Sequence, residues 1–396
     1  MARKCPGGAT RLRHSVKGPA SALAATFRRG HRTHGLEPMR PEDDRPAMMF
    51  LNNAPARWDP AADPFGERLR PTVCVRRQIL GGRFRFESDS VELLDLAEAA
   101  YGGLPAHQFS AVSPEFRIEM RVVPRDAPEG QDVPPPVRAQ AGAGVLCGMM
   151  DESNYVVILP AQYRALVVVS EDMLAYPYHV RYELIEFAVF MLAARGLNLV
   201  PLHGACIGED GLGVLLLGSS GAGKSTLALH GLLDGMDFLA EDGVFVQPDS
   251  LLATGVANFL HVKQDALRFL DDGAVRDWIA QAPVIHRRSG VAKYEADLRK
   301  GHDQGRPAPE PMRIAAAIFV SSEVAADPSR LLSRVPWEDV APRLAADQPY
   351  AAGQPGWERF VHRLSGIGVH ELRRGKHPRD AVRALRGLLR LSGPGA

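Results

Sequence analysis

The stretch Val214-Leu215-Leu216-Leu217-Gly218-Ser219-Ser220-Gly221-Ala222-Gly223-Lys224-Ser225-Thr226-Leu227-Ala228-Leu229 decides how this chain is read. Its apolar start reads as a short buried strand, and Gly218 to Ser225 satisfies the pattern G-x-x-x-x-G-K-[ST]; Ser-Thr-Leu-Ala-Leu then opens a helix. The residue types answer a physical need. Backbone N–H groups converge on phosphate oxygens only where no Cβ intervenes, and glycine reaches the positive φ angles of such a nest. The helix aims its unpaired N–H groups at the same anion. Lys224 supplies a mobile cation for the β and γ phosphates, and the Ser225 hydroxyl is placed to ligate Mg²⁺. Thr226 reads as first-turn helix. The expected ligand of Gly218, Ser219, Ser220, Gly221, Ala222, Gly223, Lys224, Ser225 and Thr226 is therefore ATP with Mg²⁺.

Working outward, one helix and one short strand separate the loop from Glu241-Asp242-Gly243. An acidic pair at a strand end beside the phosphates can hold the metal or accept a hydroxyl proton. Adjacent residues of an extended segment point to opposite sides, so the pair serves both tasks only if the chain turns, which Gly243 permits. On its own, Glu-Asp-Gly also reads as a solvated turn. Upstream, His203-Gly204 lies on the strand before the loop strand; a lone strand histidine is more often structural than catalytic.

Taken together, His203-Gly204, the turn at Gly211 to Gly213, the loop with its flanking strand and helix, Gly235 and Ala240-Glu241-Asp242 resemble the catalytic domain of the HPr kinase/phosphorylase family and its related serine kinases. The resemblance is specific over residues 202–246. It implies a P-loop kinase domain similar to HPr kinase and phosphoenolpyruvate carboxykinase, which phosphorylates a serine of a protein or peptide. It further implies Asp242 as a helper in placing the metal, Glu241 as base toward the acceptor, and His203 in a supporting role. Family members often self-associate, so a homo-oligomer is implied too, in a bacterial cytoplasm. Where HPr kinase has Asp, this chain has Glu241. The downstream Glu-Ile/Val-Arg-Gly segment has no counterpart, so the resemblance does not extend to HPr as acceptor or to the reverse reaction. Instead His286-Arg287-Arg288-Ser289-Gly290 with Lys293 resembles the basic segment of the related kinases. Arg288 or Lys293 could close over the γ-phosphate as a lid; the segment reads equally as a solvated loop. Two rival readings stand: an ATP-binding regulatory module without phosphotransfer, and a kinase of a small-molecule or ribosomal-peptide hydroxyl.

The remainder of the chain sets the frame. With 396 residues, 45% hydrophobic and 23% charged, the composition is that of an ordinary globular protein. Lys and Arg number 47 against 46 Asp and Glu, so net charge gives no argument for nucleic acid or an anionic membrane as partner. The longest apolar helical stretch, 187–194, is far below the roughly 20 residues of a membrane span. Cys5, Cys74, Cys147 and Cys206 show no ligand spacing, which fits a reducing cytoplasm.

Residues 1–36 hold eight Lys or Arg and no acid; they read as a disordered tail that extends to about 48. Strand-like stretches at 72–76, 83–86, 116–123, 155–158 and 165–169, with helices at 90–101 and about 178–195, predict an N-terminal α/β domain over 49–196. The Pro-, Gly- and Ala-rich 124–144 predicts a loop within it. Strands at 199–207, 214–217, 237–239, 244–247, 314–320 and 369–372, with helices at 225–233, 337–346 and 379–391, predict the P-loop domain over 197–396. The expected fold class is α/β throughout.

Overall fold

The computed structural model describes residues 72–109, 113–125, 133–301 and 306–391. These lie in one compact unit that runs from Ala47 to Ala396. The expected tail at 1–48 and the start of the N-terminal domain fall outside the described residues. Among the described residues the architecture is α/β, with three sheets.

The first sheet takes its strands from β1 (Val73–Ile79), β2 (Gly82–Ser88), β3 (Glu115–Val123), β4 (Arg138–Gly142), β5 (Val145–Met149), β6 (Tyr155–Leu159) and β7 (Arg164–Ser170), in the order β1-β2-β3-β7-β6-β5-β4. Contacts β2–β3 and β3–β7 are parallel, and the others are hairpins. Period-two alternation sends Phe84, Phe86 and Phe116 to the buried face, where Phe84 and Phe116 stack with centroids 4.7 Å apart. Each such ring contributes about 1.5–3 kcal/mol of burial. Helix Val91–Tyr101, capped by the Ser90 hydroxyl on Leu93 N–H, and helix Glu186–Gly196 cover that face. Residues 180–185 lead into the second helix as a wider π turn. The expected loop at 124–144 is corrected at its end, because 138–142 pairs with β5 across a turn whose Ala143 and Gly144 both have positive φ.

The second sheet is built on β17 (Met312–Val324), a 13-residue strand buried over most of its length. Around it lie β8 (Val200–His203), β9 (Ala205–Glu209), β10 (Leu212–Leu217), β11 (Asp237–Ala240), β12 (Gly243–Val246) and β13 (Leu252–Gly255), in the order β11-β9-β10-β17-β13-β12-β8, with β19 (Val369–Arg374) on β17 and β18 (Leu332–Arg334) on β19. Helices Lys224–Leu233 and Pro378–Leu391 cover one face and Trp337–Asp347 and Trp357–Ser365 the other, each over its own apolar cluster. A small third sheet joins β14 (Phe259–Val262), β16 (Ala292–Asp297) and β15 (Val284–His286).

One strand was expected over 199–207, and the structure has two. A Cβ at Gly204 would stand 2.6 Å from the carbonyl oxygen of Leu216, so only glycine passes there. The chain changes partners at this point: β8 pairs with β12, and β9 pairs with β10 and β11. His203 is thereby set opposite Gly243, next to the acidic pair. Among the described residues no helix is long and apolar enough to cross a membrane.

Candidate active site

The loop leaves β10 at Gly218, whose φ is 130°, and a Cβ there would lie 2.7 Å from Val320 O on the neighbouring β17. Gly221 and Gly223 also have positive φ, and helix Lys224–Leu233 starts directly after Gly223. Ser220 to Thr226 line a cavity of about 320 Å³; Gly218 and Ser219 lie outside its lining. Gly218 N–H is already bound by Asp347 Oδ2 at 3.1 Å, which braces the loop's first residue. Lys224 is buried and donates to the carbonyl oxygens of Gly218 and Ser219. Burial lowers its pKa, against the carboxylates of Asp347, Asp242 and Glu241, which pull it up.

The acidic pair stands where β11 gives way to β12, and its two side chains diverge. Glu241 is buried and accepts a hydrogen bond from the Ser225 hydroxyl. Its other oxygen lies 3.0 Å from His261 Nδ1, and Lys293 Nζ is 3.8 Å from the oxygen that meets Ser225. Burial pushes the Glu241 carboxyl up, but the His261 hydrogen bond and charge win and hold it below the usual range. His261 answers in kind: burial opposes its charge, while Glu241 and Glu295 raise it to about 9. The chain of contacts continues from His261 Nε2 to Glu295 at 3.2 Å, and from Glu295 to Arg181.

Asp242 turns the other way. It accepts from Tyr182 Oη and from Arg287 Nη2 at 3.0 Å, and His203 Nδ1 is 3.6 Å from it. Burial acts to raise its pKa, yet Arg287, His261 and His203 hold it well below the carboxylate range. The Arg287 guanidinium also lies over the Tyr182 ring, 4.6 Å from the centroid. Asp242 is thus an ionised acceptor fixed in position.

The basic segment of His286 to Gly290 with Lys293 belongs to a hairpin rather than an open loop. Residues 284–286 and 292–297 pair as β15 and β16, and 287–290 form the turn between them. Its two arginines part company. Arg287 lines the loop cavity, whereas Arg288 reaches away to Glu183 at 2.7 Å and to the carbonyls of Pro134 and Pro135. Of the two expected lid residues, Lys293 lines the cavity and Arg288 does not. Lys263, Arg268, Arg374 and Lys376 add positive charge to the same walls, with Phe269 and Leu372 as apolar neighbours.

A second cavity, of about 890 Å³, also borders the acidic turn. His203, Glu241, Asp242 and Arg287 line both. His203 is held by its backbone: its N–H donates to Gln348 Oε1 at 2.7 Å and its carbonyl accepts from Gln348 Nε2 at 2.9 Å. The sequence reading missed His261, Glu295, Tyr182, Asp347 and Gln348. None sits in a motif, and each reaches the site only through strand pairing or helix docking.

No protein-family model matches the chain, and no curated protein matches it. Among solved structures it is similar to the HPr(Ser) kinase/phosphatase from Coxiella burnetii, at 16% sequence identity, over 48% of this chain and 88% of that one, with a TM-score of 0.24. So slight a likeness carries no argument here, and the reading of the site rests on its own geometry.

Proposed function

We propose that the protein is a phosphotransferase that moves the γ-phosphoryl group of ATP to an acceptor hydroxyl. The observation that carries the reading is the Ser225–Glu241 pair at the start of the helix that follows the glycine-rich loop. A half-buried, cavity-lining hydroxyl and a buried carboxylate side by side, with Lys224 adjacent, suit Mg²⁺, which takes one or two protein oxygens and completes its shell from phosphates and water. When bound, Mg²⁺ would supply neutralisation of the phosphate charge.

The residues divide the remaining work. Loop amides and Lys224 hold the β and γ phosphates, while the Lys263, Arg268 and Lys376 side of the cavity offsets their charge and Phe269 and Leu372 flank the base. Glu241 takes the metal side because it is the carboxylate against Ser225, and Asp242 takes the acceptor side because it turns away from Ser225 toward His203, Tyr182 and Arg287. This exchanges the roles that the family resemblance implied for the two. The acceptor oxygen attacks the γ-phosphorus, the bond to the β–γ bridging oxygen breaks, and the hydroxyl proton passes to Asp242. Arg287 and Lys293 are the cations near the developing charge.

The test is transfer of label from γ-³²P-ATP with Mg²⁺ to protein and small-molecule fractions of a bacterial lysate, wild type beside Lys224→Ala. Label that depends on Lys224 supports the reading. Tight ATP binding with no transfer to any fraction would favour the regulatory module instead.

A further inference from the structure

We propose that the acceptor is a small molecule that carries its hydroxyl on an apolar body and enters through the second cavity beside the Glu241–Asp242 turn. The inference rests on the phosphotransfer reading above and names its substrate class. Three observations carry it.

The two cavities meet at the residues that have to act on the acceptor. His203, Glu241, Asp242 and Arg287 border both, so a hydroxyl held in the larger cavity is beside the residues that also line the loop cavity.

The walls are apolar and aromatic: Phe187, Phe190, Met191, Phe245, Val256 and Pro201. The charged side chains among them are committed to one another. Arg181 pairs with Glu295 and lies 3.7 Å from Glu186, and Arg288 pairs with Glu183. Burial raises Glu186 to about 7, which reduces the charge on this wall further. An apolar body gains by displacing water from such a surface, whereas a charged acceptor finds its would-be partners occupied.

The size is that of a ligand site. About 890 Å³ falls within the roughly 300–1,000 Å³ of small-molecule pockets. Asp242, which borders this cavity, is held in place by hydrogen bonds from Tyr182 and Arg287.

The step balances without a further reagent. The acceptor oxygen forms the new bond to phosphorus, the β–γ bridge leaves with the electron pair of the broken bond, and the proton goes to Asp242 and then to water. Products are ADP and a phosphate monoester.

The probe is a series of primary alcohols, 1-propanol to 1-octanol with 3-phenyl-1-propanol, offered to the full chain with Mg²⁺ and γ-³²P-ATP. The kcat/KM for phosphate-ester formation is expected to rise up to about fourfold per methylene, the factor that burial of one CH₂ supplies, until the cavity is full. Val256→Phe and Ala139→Trp narrow the cavity from different elements and are expected to flatten the series while the Kd for MgATP, measured by calorimetry, stays unchanged. Ester formation without chain-length dependence, or transfer to a serine peptide that neither variant affects, would overturn the acceptor cavity and leave the phosphotransfer reading standing. Failure of the wild type to bind MgATP would overturn both.

Discussion

His261 joins two buried carboxylates: its Nδ1 lies 3.0 Å from Glu241 and its Nε2 3.2 Å from Glu295. An imidazolium between two carboxylates donates at both nitrogens, so the ring fixes the rotamer of the residue that faces Ser225. Its folded pKa of about 9 stands above the unfolded value of roughly 6.5. The group therefore contributes stability that is fully present below about pH 6.5 and is lost as pH rises through about 9. Thermal melts should fall in Tm across that window. His261→Gln, which has a single donor nitrogen and no charge to gain, should flatten the pH dependence and lower kcat; an unchanged slope would remove His261 from the account.

Lys224→Ala should raise the Kd for MgATP at least a hundredfold by calorimetry, while Tm without nucleotide changes little. The side chain bonds only to its own loop's carbonyls, so its loss leaves a small local defect.

Glu241 and Asp242 should separate kinetically. Glu241→Gln removes the carboxylate beside Ser225 and should raise the Mg²⁺ concentration needed for half-maximal rate. Asp242→Asn should lower kcat by about 10²–10⁴ with the Mg²⁺ requirement intact. The reverse pattern in a magnesium titration of both variants would restore the roles that the family resemblance implied.

Arg287 and Arg288 are neighbours with unequal consequences. Arg287→Ala strands Asp242 and Tyr182 in a half-buried site and should cost about 3 kcal/mol as well as activity. Arg288→Ala breaks a more exposed pair with Glu183 and should cost under about 1 kcal/mol. Urea denaturation of the two variants decides it.

His230, on the helix after the loop, is buried and neither ring nitrogen has a hydrogen-bond partner. Burial, with His377 beside it, lowers its pKa to about 4. The unfolded chain takes up a proton that the folded one refuses, so stability falls as pH drops from about 6.5 toward 4. His230→Leu should raise Tm at neutral pH by removing an unsatisfied polar group, and should weaken the acid dependence in the same melts.

What the sequence made legible follows from where the information lies. The loop is a local device: three positive-φ glycines, a lysine and a hydroxyl announce themselves within eight residues, and the apolar run before them could only be a buried strand. Strands β2, β3, β6 and β7 were readable for the same reason, since alternation is a local property. The break at Gly204 was not, because the clash that demands glycine is with Leu216 on another strand. Likewise, the divergence of Glu241 and Asp242 was foreseen as a turn, but which of them meets Ser225 depends on where His261 and Arg287 arrive from, and pairing of distant strands sets that. Strands β13 to β15 carry three or four residues each, too few to show a period, and β16 mixes charged and apolar residues without a regular alternation, which hid His261, Glu295 and the hairpin form of the basic segment.

Strand β12 belongs to two hydrophobic cores at once. Val244 and Val246 lie in the interior of the second sheet, whereas Phe245 between them is buried among the residues of the first. The acidic turn sits immediately before this strand, so the site's carboxylates hang from a splint between two interiors. The two sheets should therefore melt as one cooperative transition rather than in sequence, and a fragment beginning at residue 197 would expose the Phe245 ring and lose Tyr182 and Arg181 together. Modularity is an illusion of the chain order here: the half of the protein without a recognisable motif supplies the back wall against which the motif's chemistry is aligned.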